Sequence, residues 1–105
     1  MKKSENKFLD IIFFIENEID LSPSIICISI LLLLVDSIKR SDSLSMRDLY
    51  KKMHTFSGKG IKNNLSMIEK KGLIKYVKSK EDQRVVLLVP TRKLVSYASS
   101  IQKFI

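Results

Sequence analysis

Residues 56–74, FSGKGIKNNLSMIEKKGLI, decide the fold that this sequence predicts. Apolar residues recur here at steps of three and four positions, the spacing of one buried helix face. They are Ile61, Leu65 and Ile68. Gly72 follows at the place where a residue in the left-handed conformation commonly ends a helix. The segment therefore predicts an amphipathic helix over about residues 58–71.

The Gly-Lys-Gly run at residues 58–60 raises the question of a nucleotide-binding loop. A P-loop needs an upstream glycine at fixed spacing and a Ser or Thr after its lysine, whereas Gly60 and Ile61 follow here. One cysteine, Cys27, and one histidine, His54, exclude an internal disulfide and an all-Cys/His zinc site. No carboxylate pair shares a face, so we expect no enzyme, no cofactor and no metal.

Charge is distributed unevenly along the 105 residues, a length that predicts one domain over residues 1–105. Residues 1–36 hold three lysines and six acids, a net charge of −3. Residues 37–105 hold sixteen basic and five acidic residues, a net charge of +11. Such a field favours a polyanion, nucleic acid first and an anionic membrane surface second. Charge that only maintains solubility is the alternative interpretation.

The apolar run IICISILLLLV at residues 25–35 is the candidate for a membrane segment. Its eleven residues fall short of the roughly 20 that span a bilayer, and Asp36 closes it. We expect instead a buried core helix over about residues 23–39, with Ser22 as its N-cap and Pro23 as its first residue. The lone cysteine in this helix gives no support for an oxidising compartment, so we expect a cytoplasmic protein without membrane association.

The remaining periodicities predict three more helices and a β-hairpin. Residues 7–19, 46–53 and 92–105 carry apolar residues at helical steps. Two β-prone runs over about residues 75–89 flank the charged stretch SKEDQ, which predicts a hairpin. A short helix, the turn HTFS, the helix of residues 58–71 and this hairpin form a winged helix-turn-helix, mainly α with a two-stranded β-hairpin wing.

The single domain is expected in three parts along the chain. Core helices occupy residues 7–39, the helix-turn-helix and wing occupy residues 45–90, and a C-terminal helix occupies residues 91–105. Both terminal helices carry wide apolar arcs, which predicts that they dock on each other across a homodimer. The residues expected at this interface are Phe8, Ile11, Ile12, Ile15, Leu94, Ala98, Ile101 and Ile105.

Residues 44–92 resemble the DNA-binding core of the MarR-type winged-helix regulators, including the SarA-like branch. The recognition helix of that family ends in Leu-Glu-Lys-Lys-Gly-Leu and then Val or Ile, which stands here as IEKKGLI at residues 68–74. The family's wing carries Asp-x-Arg before an apolar strand that closes in Leu-Thr. Here DQR stands at residues 82–84, followed by VVLLV and Pro-Thr. Asn64 departs from the family, which usually buries an apolar residue there.

The recognition helix presents a polar, basic face opposite its apolar one. At about 100° per residue this outward face and its flank hold Lys59, Lys62, Asn63, Ser66 and Lys70. Lysine can donate to guanine O6 and N7, and asparagine can bond adenine bidentately. We therefore expect Lys59, Lys62 and Asn63 to contact bases in the major groove. A solvated lysine face is the alternative interpretation.

The flanking elements are expected to contact the DNA backbone. Ser57 and the backbone of Gly58 and Gly60 lie at the start of the recognition helix, where phosphate commonly binds. Arg47 lies on the preceding helix, where it could contact the backbone or be plain surface.

The wing adds Lys78, Lys80 and Arg84. The resemblance implies that Arg84 reaches toward the minor groove and that Asp82 supports the wing or its arginine. An ion pair of Arg84 with Glu81 or Asp82 is the alternative interpretation.

The sequence thus predicts a homodimeric regulator of transcription that binds double-stranded DNA sequence-specifically. The helix of residues 58–71 would lie in the major groove, and the wing of residues 75–89 would contact the minor groove or the backbone. Two alternatives stay open: a winged-helix protein-interaction module, and a plasmid or viral replication or copy-control factor that binds DNA. The operator, the direction of regulation and any small-molecule effector are not defined by the sequence.

Overall fold

A computed structural model describes residues 6–103. Its helices and strands are α1 (Lys7–Phe14), α2 (Ile25–Lys39), β1 (Leu44–Ser45), α3 (Met46–Lys52), α4 (Gly58–Lys70), β2 (Ile74–Lys78), β3 (Val86–Pro90) and α5 (Arg92–Gln102). α1 continues into a π-helical turn over Ile15–Ile19, so the predicted first helix is continuous but changes its hydrogen-bond pattern. Asp20 ends this turn in the left-handed conformation, with φ at 64°.

The three strands form an antiparallel sheet in the order β1–β3–β2. Leu88 of β3 pairs with Tyr76 of β2 on one side and with Leu44 of β1 on the other. The predicted two-stranded wing is confirmed as β2 and β3, and β1 adds a third strand that the sequence did not predict. Two residues are too short to show an alternating period, and β1 exists only because β3 arrives beside it later in the chain. The added strand joins the start of α3 to the base of the wing.

α2 is the central buried helix and packs against both α4 and α5. Ile30 and Leu34 are fully buried within it, as its all-round apolar character predicts. The predicted cap was wrong, because the helix begins at Ile25 rather than Pro23. Ser24 is extended, and its Oγ accepts a hydrogen bond from the Cys27 N–H at 3.0 Å, so this serine is the N-cap. Within residues 6–103 no helix is long and apolar enough to cross a membrane.

Cys27 lies inside the core on α2. Its side chain is buried, and this burial raises the pKa of the thiol to about 11. The neutral thiol is therefore the form present at neutral pH, and the residue packs as a small hydrophobe.

Serine caps begin both helices of the helix-turn-helix. The Oγ of Ser45 accepts from the Asp48 N–H at 3.0 Å, and the Oγ of Ser57 accepts from the Gly60 N–H at 3.0 Å. Each bond satisfies one of the N–H groups that a helix start leaves without an intrahelical acceptor. The predicted starts of these two helices are confirmed to within a residue.

The carboxyl end of α4 is closed by local and by distant bonds. Gly72 has a φ of +74° and donates its N–H to the Glu69 carbonyl, while the Leu73 N–H reaches the Ile68 carbonyl. This is the Schellman arrangement expected at a left-handed glycine. From α5, the Lys93 ammonium donates to the Lys71 carbonyl at 2.8 Å. Helix α4 therefore ends at a defined point against α5.

The terminal helices meet within one chain. The rings of Phe14 and Tyr97 pack edge to face with centroids 5.9 Å apart, and the Tyr97 hydroxyl donates to the Glu18 carbonyl at 3.2 Å. Five residues predicted at a dimer interface lie instead in the core of the chain itself: Ile11, Ile15, Leu94, Ala98 and Ile101. Helical periodicity identifies a buried face but not the surface that covers it, which explains this correction.

The other predicted interface residues have different positions. Phe8 is exposed and Ile12 is half-buried on α1, while Ile105 lies outside the described residues. Leu9 and Phe13, beside them on α1, are also exposed. Any apolar docking surface on α1 is therefore formed by these outer residues.

Candidate nucleic-acid interface

Helix α4 separates its apolar and its basic residues onto opposite sides. Ile61, Leu65 and Ile68 are buried against the core. The predicted outward residues Lys59, Lys62, Asn63 and Lys70 are exposed, and Ser66 is half-buried. The structure therefore brings the predicted base-contacting side chains together on one accessible face.

The outward side chains of α4 form no ion pair and no side-chain hydrogen bond with the part of the chain that the structure describes. Within residues 6–103 the ion pairs join Arg40 with Asp36, Lys71 with Asp20 and Arg84 with Asp82, and these pairs leave out Lys59 and Lys62. The described residues also form no side-chain hydrogen bond to Asn63. A polyanion can therefore meet these groups without first breaking an ion pair or a side-chain hydrogen bond among residues 6–103.

Gly60 packs against α2 and lies half-buried. A Cβ at this position would lie 2.8 Å from Cδ1 of Ile26 and 3.0 Å from Oγ of Ser57. The N–H of Gly60 also donates to the Oγ of Ser57, so both of these polar groups are hydrogen-bonded at the start of α4. The absence of a side chain at Gly60 therefore allows α4 to pack against Ile26 of α2, a role that the sequence did not reveal.

Asn64 faces α2 from the side of α4. Its Nδ2 donates to the Gly60 carbonyl at 2.8 Å, and its Oδ1 accepts from the Ser24 hydroxyl at 3.1 Å. The amide is half-buried, and both of its ends are bonded. An asparagine is thus accommodated where the family usually buries an apolar residue, because Ser24 supplies a polar partner on the neighbouring helix.

The wing tip is closed by short-range bonds. The Ser79 N–H donates to the Val85 carbonyl at 2.9 Å, and the Val85 N–H donates to the Asp82 carbonyl at 2.9 Å. The side chain of Arg84 is 88% exposed beside Asp82. Lys78 and Lys80, the other wing residues predicted to contact DNA, are exposed. The wing therefore presents three cations at its end.

The carboxylate of Asp82 interacts with the positive charges of two arginines near the wing tip. Its carboxylate accepts hydrogen bonds from the side chain and the backbone of Arg84, and Arg47 on α3 adds a positive charge nearby. Together these hold the pKa of Asp82 below its usual value of 3.8. The ion pair considered in the sequence analysis is present, between Arg84 and Asp82. Arg47 itself is exposed and lies on the wing side of α3.

Two tyrosines near α4 were not identified as site residues from the sequence. Burial, the carboxylate of Glu69 and the neighbouring Tyr50 raise the pKa of Tyr76 above its usual value of 10.0. Tyr50 also lies 3.9 Å from the position that a Cβ on Gly58 would take. The two phenols therefore sit where α3, α4 and the wing meet, and the raised pKa keeps Tyr76 a protonated hydrogen-bond donor at neutral pH. Only the tertiary contacts reveal this, because a tyrosine in a strand is ordinary in sequence.

An open groove of about 440 Å³ borders the same helix. Its lining combines carboxylates, lysines and apolar groups, from Glu16 and residues 20–23 on one side and Met67, Lys70 and Lys71 on the other. Within residues 6–103 no three His, Cys, Asp or Glu side chains are grouped so as to hold a metal ion.

Comparison of the fold finds solved structures with the same arrangement. MepR of S. aureus in its DNA-binding conformation aligns with a TM-score of 0.70 and 17% identity, over 93% of this chain and 68% of MepR. MarR aligns with a TM-score of 0.67 and 20% identity, over 90% of this chain and 64% of MarR. A mutant of Lactococcus lactis ZitR aligns with a TM-score of 0.66 and 25% identity, over 93% of this chain and 70% of ZitR.

These neighbours are longer than this chain, which spans about two thirds of their length. Comparison of the sequence finds no matching protein-family model and no curated protein of significant similarity. The likeness is therefore carried by the arrangement of helices and strands. That arrangement confirms the resemblance drawn from residues 44–92: this chain has the winged-helix fold of the MarR-type regulators.

Proposed function

We propose that this protein binds double-stranded DNA sequence-specifically and regulates transcription. The observation that carries the proposal is the outward face of α4, where Lys59, Lys62 and Asn63 are exposed and unengaged by the described residues. Helix α4 lies in the major groove with its N-terminal half against the bases. Lysine and asparagine read guanine and adenine edges there, so binding rather than catalysis is the activity of this surface.

The wing supplies the second contact in this proposal. Arg84 projects from the tip with its side chain almost fully exposed, and it enters the minor groove or meets the adjacent phosphates. Lys78 and Lys80 neutralise phosphates beside it. Ser57 and the first N–H groups of α4 approach the backbone where α4 begins, and Arg47 does so from α3.

A homodimer would present two such surfaces to a pseudo-palindromic site. Phe8 and Phe13 on α1 are 47% and 39% exposed, and Leu9 lies between them in the chain. Large apolar side chains grouped on one exposed helix commonly mark a protein interface. In this proposal α1 of one protomer docks on α1 of its partner, while both copies of α4 remain free for DNA.

The decisive experiment selects bound duplexes from a random pool with the full-length protein. Enrichment of a motif with two half-sites one helical turn apart is the expected result. The variant that combines Lys59→Ala with Asn63→Ala should retain its fold, because both residues are exposed, and should lose preference for the selected motif.

A matched control combines Lys39→Ala with Gln102→Ala, which removes a lysine and an amide beside the far end of α2. At about 1.5 Å per residue, Lys39 lies about 22 Å along α2 from the α4-facing end at Ser24. The control should bind as the wild type does. An unchanged motif preference in the first variant would remove α4 as the reading helix.

The exposed apolar residues of α1 also support a second candidate function, docking onto a different protein. Failure of the wild-type protein to shift any duplex even at low salt would favour that module over a DNA-binding regulator. A plasmid or viral replication or copy-control factor would bind DNA with these same residues. A transcription assay separates such a factor from a regulator. It measures transcription from a promoter that carries the selected motif, with and without the protein.

A further inference from the structure

The side of α4 that faces α2 is held by polar contacts at two places along its length. At the middle of α4, Asn64 accepts a hydrogen bond from Ser24. At its end, the Lys71 ammonium lies 3.0 Å from the Asp20 carboxylate. The segment of residues 20–24 therefore runs beside α4 and is bonded to it at both ends.

Asn64 connects two helices through one side chain. Nδ2 must point to the Gly60 carbonyl, because a carbonyl only accepts, and this orientation turns Oδ1 toward Ser24. The Ser24 hydroxyl then donates to Asn64 while it accepts from the Cys27 N–H. A continuous series of hydrogen bonds thus runs from the first turn of α2 to the first turn of α4.

The side chain of Ile26 on α2 also approaches the backbone of α4 closely at this point. Gly60 leaves no room for a Cβ beside Cδ1 of Ile26, and it lies one turn before Asn64. Because Gly60 supplies the carbonyl that Asn64 bonds, close approach and hydrogen bonding occur at the same turn of α4.

The hydrogen bond between Ser24 and Asn64 affects the orientation of α4 more than its burial. The apolar face of Ile61, Leu65 and Ile68 holds α4 on the core, but burial of apolar surface is non-directional and tolerates small rotations. A hydrogen bond weakens steeply when its angle changes. Asn63 adjoins Asn64 in the chain, so a rotation that breaks the bond to Ser24 also moves the outward face.

We propose that Ser24 and Asn64 form a positioning pair that fixes the rotation of α4 about its axis, so that they set DNA specificity without touching DNA. The inference rests on the proposed function of α4. It assigns a role to Asn64, the residue that departs from the family pattern, and to a serine outside the helix-turn-helix.

Ser24 offers one variant that removes its hydroxyl and one that retains it. Ser24→Gly removes the hydroxyl that donates to Asn64, while glycine at an N-cap costs only a few tenths of a kcal/mol. Ser24→Thr keeps the hydroxyl and is the matched control. Asn64→Leu removes the other partner and introduces the apolar type that the family usually has there. Lys59, Lys62 and Asn63 are retained in all three variants.

The binding test compares the selected duplex with a scrambled duplex of the same length. In Ser24→Gly and Asn64→Leu the ratio of the two affinities should fall about tenfold, the scale of one base contact. Affinity for the scrambled duplex should stay at the wild-type value, because the lysines that contact phosphate remain. Ser24→Thr should retain the wild-type ratio. A wild-type ratio in both Ser24→Gly and Asn64→Leu would overturn the proposal.

A second measurement needs no DNA. Residual dipolar couplings of backbone N–H groups report the orientation of α4 relative to α2 in each folded variant. The α4 couplings should change in Ser24→Gly and remain wild-type in Ser24→Thr; unchanged couplings in Ser24→Gly would refute the positioning role. If wild-type protein binds no duplex, the proposed function fails, while the couplings still decide whether the pair orients α4. If Asn64→Leu does not fold, Ser24→Gly carries both measurements.

Discussion

The carboxylate of Asp82 accepts two hydrogen bonds from the guanidinium of Arg84, at 3.1 Å from Nε and 3.2 Å from Nη2. The backbone N–H of Arg84 adds a third bond to the same carboxylate at 3.0 Å. These bonds hold the arginine at the end of the wing in one orientation. The Nη1 group is outside these contacts and projects with the exposed side chain. In the proposed complex with DNA, Asp82 would therefore orient Arg84 toward the DNA rather than compete with it.

The first prediction concerns the pH dependence of this ion pair. The bonds from Arg84 lower the pKa of Asp82, so the contact is complete above the usual value of 3.8 and is lost as pH falls through the lowered pKa. We expect the Arg84 Nε–H resonance to shift only below about pH 3.8, in an NMR titration downward from neutral pH. Asp82→Asn keeps one acceptor oxygen without the titration, so its profile should be flat. A wild-type resonance that stays constant through acid would contradict the pairing.

The second prediction concerns the salt dependence of DNA binding. Lys62 is exposed on α4 and belongs to none of the ion pairs described for residues 6–103. If it neutralises a phosphate as well as flanking the bases, Lys62→Ala should reduce the slope of log affinity against log salt by about one. Fluorescence anisotropy at several salt concentrations measures this slope. Lys39→Ala makes the same charge change at the far end of α2 and should leave the slope unchanged; equal slopes for the two variants would count against contact by Lys62.

The third prediction uses two glycines at opposite ends of α4. Gly72→Ala places a side chain at a φ of +74°, and although the space is open, it should lower the free energy of unfolding by about 1–2 kcal/mol. Gly58→Ala adds a Cβ 3.9 Å from Tyr50 in a helical position and should raise it by about 0.4–1 kcal/mol. Urea unfolding of both variants checks the opposite signs. A tolerated Gly72→Ala would mean that the helix does not end at this residue.

The fourth prediction concerns self-association through α1. Combining Phe8→Glu with Phe13→Glu places two carboxylates on the exposed apolar face and should convert a dimer to a monomer. Sedimentation velocity reports the change in mass. Val95→Glu replaces an apolar side chain that is 49% exposed on α5 and should leave the dimer intact. A wild-type monomer at micromolar concentration, or a doubly substituted dimer, would rule out this interface.

Local chemistry explains which features could be predicted from the sequence. Ser45 and Ser57 begin helices because a hydroxyl satisfies the first N–H groups within three residues, and Gly72 ends one because it adopts a left-handed φ without strain. These signals act between near neighbours in the chain, as does the spacing of Ile61, Leu65 and Ile68. The winged-helix order and the exposed basic face of α4 follow from them.

Contacts between segments far apart in the sequence determine the features that the sequence did not predict. The stripe of α5 that includes Leu94 is covered by its own chain, and Gly60 packs on Ile26 at the helix start where its backbone was expected to meet phosphate. The partner of Asn64 is a serine 40 residues away, and strand β1 forms only beside β3. A residue's spacing determines which way it faces on a helix or strand. What it meets there depends on which surfaces the folded chain brings together. The sequence by itself therefore determined the helices, the hairpin and their outward charge. The tertiary structure decided the third strand, the partners of the buried faces and the orientation of α4.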